Sequence, residues 1–596
     1  MTDIQKNSLE ETKYTKENPL IKNLFGFNSI WTLNDSQWQN GGANGKGPKN
    51  FDNILISNNI VWKENIQYVI KVTNNRTNEE ALKAYYDDRR DQNYSTIEGL
   101  GPLTNLYKLG VGAFTSINHD IDNFDVNQVI GYKEEDKGSG GNENSELGKI
   151  YSLVNLLRES SASTSASKYF YSSPRPWRMN DEGKVIPLDK DKDGKYDLEN
   201  INGTNFDMYE SNVSVIPALK YARGTAGSLG KDGGYPSGHT NAAYLSSYAL
   251  AYAFPERFSE LILRASELGE NRIVTGMHSP LDIIGGRIHS EIIGATALAD
   301  EKNKQIKIEA YNKVTDYFGK LANDKNISLY NLAHEGVSDT KEAHDNNKKI
   351  YRDRMTYGFS KTGKNGIPVV VPAGAESILE TRFPYLSKEQ IREILLTTAL
   401  DSGYPVLDES NGWGRLDYVT AADGYGAFLK DTYIVMDGSK ERFNAFDTWW
   451  NNISGAGSLI KDGTGILNLK GDNSYSGGTI LKNGTLVAGS STAFGNGFVK
   501  IEGGKIIIDS KDTLILEKDF KILNGVLQLN NSVKVKGKIE IKNAKISINI
   551  PKEKFLSNNE IVVISADKIS GKFNKVTING QEGHLKYNKN SIIAKI

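Results

Sequence analysis

Two periods of apolar residues divide this chain. Up to about residue 430 the apolar positions recur mostly at helical spacing. Glu79 to Asp91 and Leu103 to Ile117 are expected helices, and the stretch from Lys149 to Tyr171 places Ile150, Leu153, Leu156 and Leu157 on one face. Helical sequence returns from Thr240 to Leu321, and again from Leu386 to Leu400, where Ser387 is the expected N-cap and Glu389 and Gln390 fill the first turn. Between Ile30 and Val72 short apolar runs alternate with Asn and Gly clusters, which predicts long loops with helix later. Beyond Gly455 the period becomes two. Runs such as Gly463 to Gly471 and Lys500 to Ile508 alternate apolar residues between Gly and Asn turns, the pattern of short strands stacked as rungs of a solenoid. The expected architecture is multidomain. A mobile leader (1–22) precedes a mainly α, helical-bundle domain (23–430), and an all-β, β-helix-like module follows (431–596).

At 596 residues the chain is long enough for two or three domains with their own cores. Its 72 Lys and Arg against 73 Asp and Glu leave a net charge of -1, so no global field favours nucleic acid or an anionic membrane. The absence of cysteine excludes disulfides, thiolate nucleophiles and zinc-thiolate sites. Leu281 to Ala299 is the most apolar long segment, but Asp282, Arg287, His289 and Glu291 interrupt it, so it reads as a buried helix and not a membrane span. Met1 to Asn18 has no apolar core of a signal peptide, so the expectation is that export is not encoded there or that a signal has been removed from this sequence.

One acidic loop has a metal-ligand spacing. In Asp189 to Asp197, Asp189, Asp191, Asp193 and Asp197 occupy positions 1, 3, 5 and 9 of an EF-hand-type loop (189–200), with Gly194 at position 6 and the Lys195 carbonyl at position 7. Position 12 holds Asn200 in place of the bidentate glutamate, for which Glu199 or a distant carboxylate could substitute. A structural Ca2+ that stiffens the loop is the expectation; the bland alternative is a solvated acidic turn.

The chemistry lies in three other stretches. The first runs from Lys168 to Pro176 and sets Lys168 seven residues before Arg175; the second is Pro236-Ser-Gly-His239, opening a helix; the third runs from Arg272 to Asp282 and contains His278. Ser279 suits an N-cap and Pro280 the first helical position, so Asp282 falls in the first turn, able to take one imidazole N–H of His278 and leave the other nitrogen free to attack. Lys168, Arg175 and Arg272 supply three cations for a phosphoryl group, with the Ser237 hydroxyl and the Gly238 N–H as further donors at a helix N-terminus. His239 then serves as the acid that protonates the leaving alcohol and the base that activates water. This charge set needs no catalytic metal. Any one of these residues alone is more often structural; their order and spacing together make the site.

Lys-x6-Arg-Pro, Pro-Ser-Gly-His and Arg-x5-His-x3-Asp, as they stand here, resemble the three-part signature of the superfamily that contains type-2 phosphatidic acid phosphatases, class A bacterial acid phosphatases and vanadium haloperoxidases. The resemblance implies a helical bundle, with the roles above at the matching positions. One departure is Asn271, where the family usually has Ser before the arginine. Arg354 to Phe359, Val371 to Glu376, Leu379 to Tyr385 and Gly412 to Leu416 resemble the downstream part of large secreted members, and Gly457 to Leu469 with Asn473 to Thr479 is similar to the repeat of autotransporter passenger β-helices. Too little chain follows that repeat for a membrane β-barrel, so the expectation is a truncated chain or another export route. The reading is therefore a secreted, periplasmic or surface bacterial acid phosphatase that hydrolyses small water-soluble monoesters through phosphohistidine and is inhibited by vanadate. The alternatives are a vanadium-dependent haloperoxidase, or a β-helix adhesin or spacer carrying an inactive phosphatase-like domain.

Overall fold

The computed structural model describes residues 18–33, 54–117, 134–159, 162–186, 197–201, 204–223, 232–409, 411–551 and 560–595. The described chain forms two compact units. The first comprises residues up to 337, 347–378 and 400–419; the second comprises 338–346, 379–399 and everything from 420.

The first unit is built from helices α1 (Asn59–Asn75), α2 (Asn78–Arg89), α3 (Gly148–Leu157), α4 (Ser165–Tyr171), α5 (Gly238–Ala253), α6 (Phe258–Val274), α7 (Pro280–Ala299) and α8 (Lys304–Val314). Helices α5 and α7 are buried on all sides, so their apolar residues show no single face; α6 and α7 both pack against α5. α2 follows the expected span, closed at its start by a capping box between Thr77 and Glu80. Three expectations are corrected. The stretch read as loops holds α1, whose Val61, Trp62, Ile66 and Val69 form one buried face, capped by Asn58 Oδ1 accepting the Val61 N–H at 3.2 Å. The helix expected to reach Ile117 stops at Val111, because Gly112 takes a left-handed φ of 70°. Finally, residues 18–22 are not a mobile leader: Pro19–Lys22 is a helical turn with Leu20 and Ile21 buried, and Tyr171 Oη donates to the Ile21 carbonyl at 2.7 Å. Residues 1–17 lie outside the described set.

The second unit is a β-solenoid, as the alternation predicts. Strands from Thr432–Met436 onward form an eight-stranded sheet, parallel except at its Gln581–Glu582 edge, and a parallel seven-stranded sheet, with a mixed five-stranded sheet toward the C-terminal end. Register keeps like with like: Leu467, Leu486, Ile506, Leu527 and Ile546 stack as one buried column. Helix α9 (Lys388–Thr398), with Ser387 as N-cap, belongs to this unit, where Gln390 Nε2 donates to the Tyr433 carbonyl at 2.9 Å. Among the described residues no helix is long and apolar enough to cross a membrane.

Candidate active site

The nucleophile candidate is positioned by two helix ends. α6 ends near Arg272, whose carbonyl accepts the backbone N–H groups of Met277 and His278 at 3.2 and 3.1 Å. Between them Gly276 turns the chain at a φ of 80°, a conformation an L side chain rarely adopts. α7 starts at once, with Ser279 and Asp282 forming its capping box. One carboxylate oxygen does two jobs here: Asp282 Oδ2 accepts the Ser279 N–H at 2.9 Å and faces His278 Nδ1 at 3.2 Å. Asp282 is an acceptor, so Nδ1 carries the proton and the Nε2 lone pair is left for chemistry. That lone pair meets Arg175 Nη1 at 2.7 Å.

The second element is the turn before α5. Ser237 is its N-cap and is fully buried; its Oγ accepts from the Thr240 N–H at 3.3 Å and the Thr240 hydroxyl at 2.9 Å, leaving its own proton available. The Ser237 N–H is bonded to the Asp282 carbonyl at 2.9 Å, which ties this turn to the start of α7. A pair of helical glycines permits the approach: a Cβ on Gly286 would lie 2.6 Å from the Ser237 carbonyl, and one on Gly285 2.3 Å from the Tyr235 ring. Gly238 and His239 open the helix, with the His239 side chain 37% exposed.

Lys168, on α4, donates to the Gly233 carbonyl at 2.8 Å, and its Cε lies 4.0 Å from where a Cβ of Gly238 would stand. Arg175 gives Nε and Nη2 to Asp232 Oδ1 at 2.9 and 2.8 Å, and Nη1 also reaches the Met277 carbonyl at 3.0 Å. Arg272 pairs through Nη1 with Asp88, while its buried Nε has no hydrogen-bond partner among the described residues. The structure thus gathers Lys168, Arg175, Ser237, Gly238, His239, Arg272, His278 and Asp282 into one site. Asp88 and Asp232, which clamp the arginines, were not singled out by the sequence reading. Asn271 points elsewhere: its Nδ2 donates to Asp87 Oδ2 at 2.7 Å, beside the Arg264–Asp87 ion pair.

Burial and crowded cations set the site's protonation. Desolvation, then Arg175, pulls Lys168 down to about 7. Desolvation and the neighbouring cations Arg175, Lys168 and Arg272 hold His278 well below the usual histidine range, and Arg272, Lys137, Lys168 and Arg175 add to desolvation at His239 in the same direction. Burial pushes the Asp282 carboxyl up, opposed by the Ser279 N–H. The site therefore holds a neutral imidazole surrounded by positive charge, an arrangement that a dianion relieves.

The acidic loop is different. Asp189, Asp191, Asp193 and Lys195 lie outside the described residues, and Asp197 leads into the Leu198–Ile201 and Thr204–Asp207 hairpin. Glu199 pairs with Lys220 and Arg223 at 2.5 and 2.7 Å. Asn200 donates across the hairpin to Asn205 at 2.8 Å.

Residues 149–305, from α3 into α8, match the PAP2 superfamily, and residues 459–488 match the passenger-associated transport repeat. The chain carries a helical PAP2-superfamily domain followed by a β-solenoid with a passenger repeat. It is 37% identical over 102 residues to a non-specific acid phosphatase of Salmonella typhi, covering 17% of this chain and 38% of that protein. It is also 38% identical over 125 residues to the Neisserial autotransporter lipoprotein NalP of Neisseria meningitidis serogroup B, covering 20% of this chain and 11% of that one. An extracellular serine protease of Serratia marcescens is 32% identical over 163 residues, which is 22% of this chain and 16% of the protease. The chain thus spans well under half the length of each of these relatives.

Proposed function

We propose that the first unit is a phosphoric monoester hydrolase that works through a phosphohistidine at His278. The observation that carries this reading is the placement of His278, with Nδ1 on Asp282 and the Nε2 lone pair on Arg175 at 2.7 Å, beside Lys168 and Arg272. In the first step Nε2 attacks phosphorus, the P–O bond to the alcohol breaks, and protonated His239 gives its proton to the leaving oxygen. In the second, water attacks the phosphohistidine while His239 takes a water proton; inorganic phosphate leaves and Nε2 recovers its lone pair. Lys168, Arg175, Arg272, the Ser237 hydroxyl and the Gly238 N–H neutralise charge on the phosphoryl oxygens throughout. The similarity to acid phosphatases supports the reaction class, and the passenger repeat with the autotransporter relatives supports a secreted or surface location in a Gram-negative bacterium.

The test is phosphate release from a panel of aryl, sugar, nucleotide and inositol phosphates, with the His278→Ala protein as blank. Release by the wild-type protein, its inhibition by vanadate and its loss in His278→Ala are expected. His239→Ala should lose about 10²- to 10⁴-fold, least with the best leaving group. Full activity in His278→Ala would refute the assignment.

A further inference from the structure

We propose that Asp88 is the positioning residue of the proton donor, holding His239 through Nε2 and sharing itself between His239 and Arg272 as the phosphoryl group arrives. The inference rests on the phosphatase reading above and adds a residue to it. Asp88 lies at the C-terminal end of α2, with only 6% of its side chain exposed. Its Oδ1 pairs with Arg272 Nη1 and stands 3.5 Å from His239 Nε2. The charges that weigh most against a proton on His239 are cations: Arg272, Lys137, Lys168 and Arg175. Among the described residues Asp88 is the one carboxylate within ion-pair distance of His239.

The consequence is chemical. An acid catalyst must be protonated when the alcohol leaves, yet a proton on His239 meets the field of Arg272, Lys137, Lys168 and Arg175. A bound phosphoryl dianion cancels part of that field and competes for Arg272, which frees Asp88 Oδ1 to accept from His239 Nε2–H. With Nε2 occupied, Nδ1–H is the donor left for the leaving oxygen, so Asp88 fixes which ring nitrogen performs the transfer. Asp88 takes no proton itself. Arrival of substrate thereby charges the acid that the next step uses.

Asp88→Asn keeps the volume and removes the charge. The expected result is a fall in kcat of about 10²-fold for an alkyl monoester such as glycerol 2-phosphate and of less than about threefold for 4-nitrophenyl phosphate, whose leaving group needs no proton. The alkaline limb of the kcat profile should move about one unit toward acid, because the imidazolium loses its counter-charge. Equal losses on both substrates with an unmoved limb would overturn the proposal, leaving Asp88 a partner of Arg272 only. Asp88→Asn should add nothing in a His239→Ala background; additive losses contradict it. If Asp88→Asn folds poorly, Asp88→Glu restores the carboxylate and should recover most of the alkyl-ester rate. Ring titration of His239 by NMR in histidine-labelled protein saturated with inorganic phosphate needs no turnover. Its midpoint should fall by about one pH unit in Asp88→Asn, and an unchanged midpoint defeats the proposal even if no monoester is hydrolysed.

Discussion

Lys168 shows what a catalytic pocket does to one side chain. It is half-buried, its ammonium bonded to the Gly233 carbonyl and held down to about 7 by desolvation and by Arg175. Near pH 7.5 an appreciable fraction of Lys168 therefore lacks that proton. A bound dianion favours the charged form, so binding takes up protons, and affinity weakens as pH rises above about 7. Sulfate stays a dianion throughout this range and separates the protein's protons from the ligand's. Calorimetry of sulfate binding at pH 7.5 in two buffers of different ionisation enthalpy should show net uptake; none, or release, contradicts the account. The residues with chemistry at fixed spacing, such as His278 and Asp282 one helical turn apart, were legible in the sequence. Asp88 and Asp232 were not. Each is one of 73 acidic residues, and only the packing of α2 and the turn at Gly233 brings it to an arginine.

At the scale of elements, the site is the meeting of two helix starts and one helix end. The Pro236-Ser237-Gly238-His239 turn approaches α7 closely enough for the Ser237 N–H to reach the Asp282 carbonyl, and Gly285 and Gly286 leave the room. Gly286→Ala places a methyl 2.6 Å from the Ser237 carbonyl and 3.0 Å from Thr240 Cβ, neither of which is a flexible chain end. The turn must shift. Overpacking of this kind costs about 1–3 kcal/mol of stability, and displacing the donors of Ser237 and Gly238 should lower kcat/KM on the order of 10-fold or more. A melt and a rate measurement on that variant check both; wild-type rates would show the close approach to be incidental. The sequence pattern located α2 from its composition and apolar spacing, and α5, α7 and α9 because caps and apolar runs agreed. It did not place α1, which falls largely in the stretch from Ile30 to Val72 read as loops from Asn and Gly clusters such as Asn40 to Gly47; the buried face of Val61, Trp62, Ile66 and Val69 decides the helix.

At the scale of the molecule, the solenoid was legible from its alternation because each rung repeats the same inward positions. The membership of the second unit was harder to read, since it takes in residues 338–346 and 379–399 from earlier in the chain. Side chains remote in sequence explain the grouping. Within that unit His344 faces Asp423 at 2.8 Å and Asp339 at 3.0 Å and stacks on Trp450 at 4.3 Å, and Arg382 reaches buried Asp447 at 2.7 Å. His344→Ala should destabilise the second unit by about 2–3 kcal/mol, seen as a lower melting temperature. An unchanged melting temperature would contradict that contribution. The central claim is the covalent intermediate, and the chain has seven histidines on which it could form. Phosphohistidine survives alkali, so the decisive measurement is an alkaline quench of the protein turning over a phosphorus-labelled aryl phosphate, followed by peptide mapping. The account predicts label on the peptide containing His278 and none in His278→Ala; label on another residue, or turnover that never labels the chain, would contradict it.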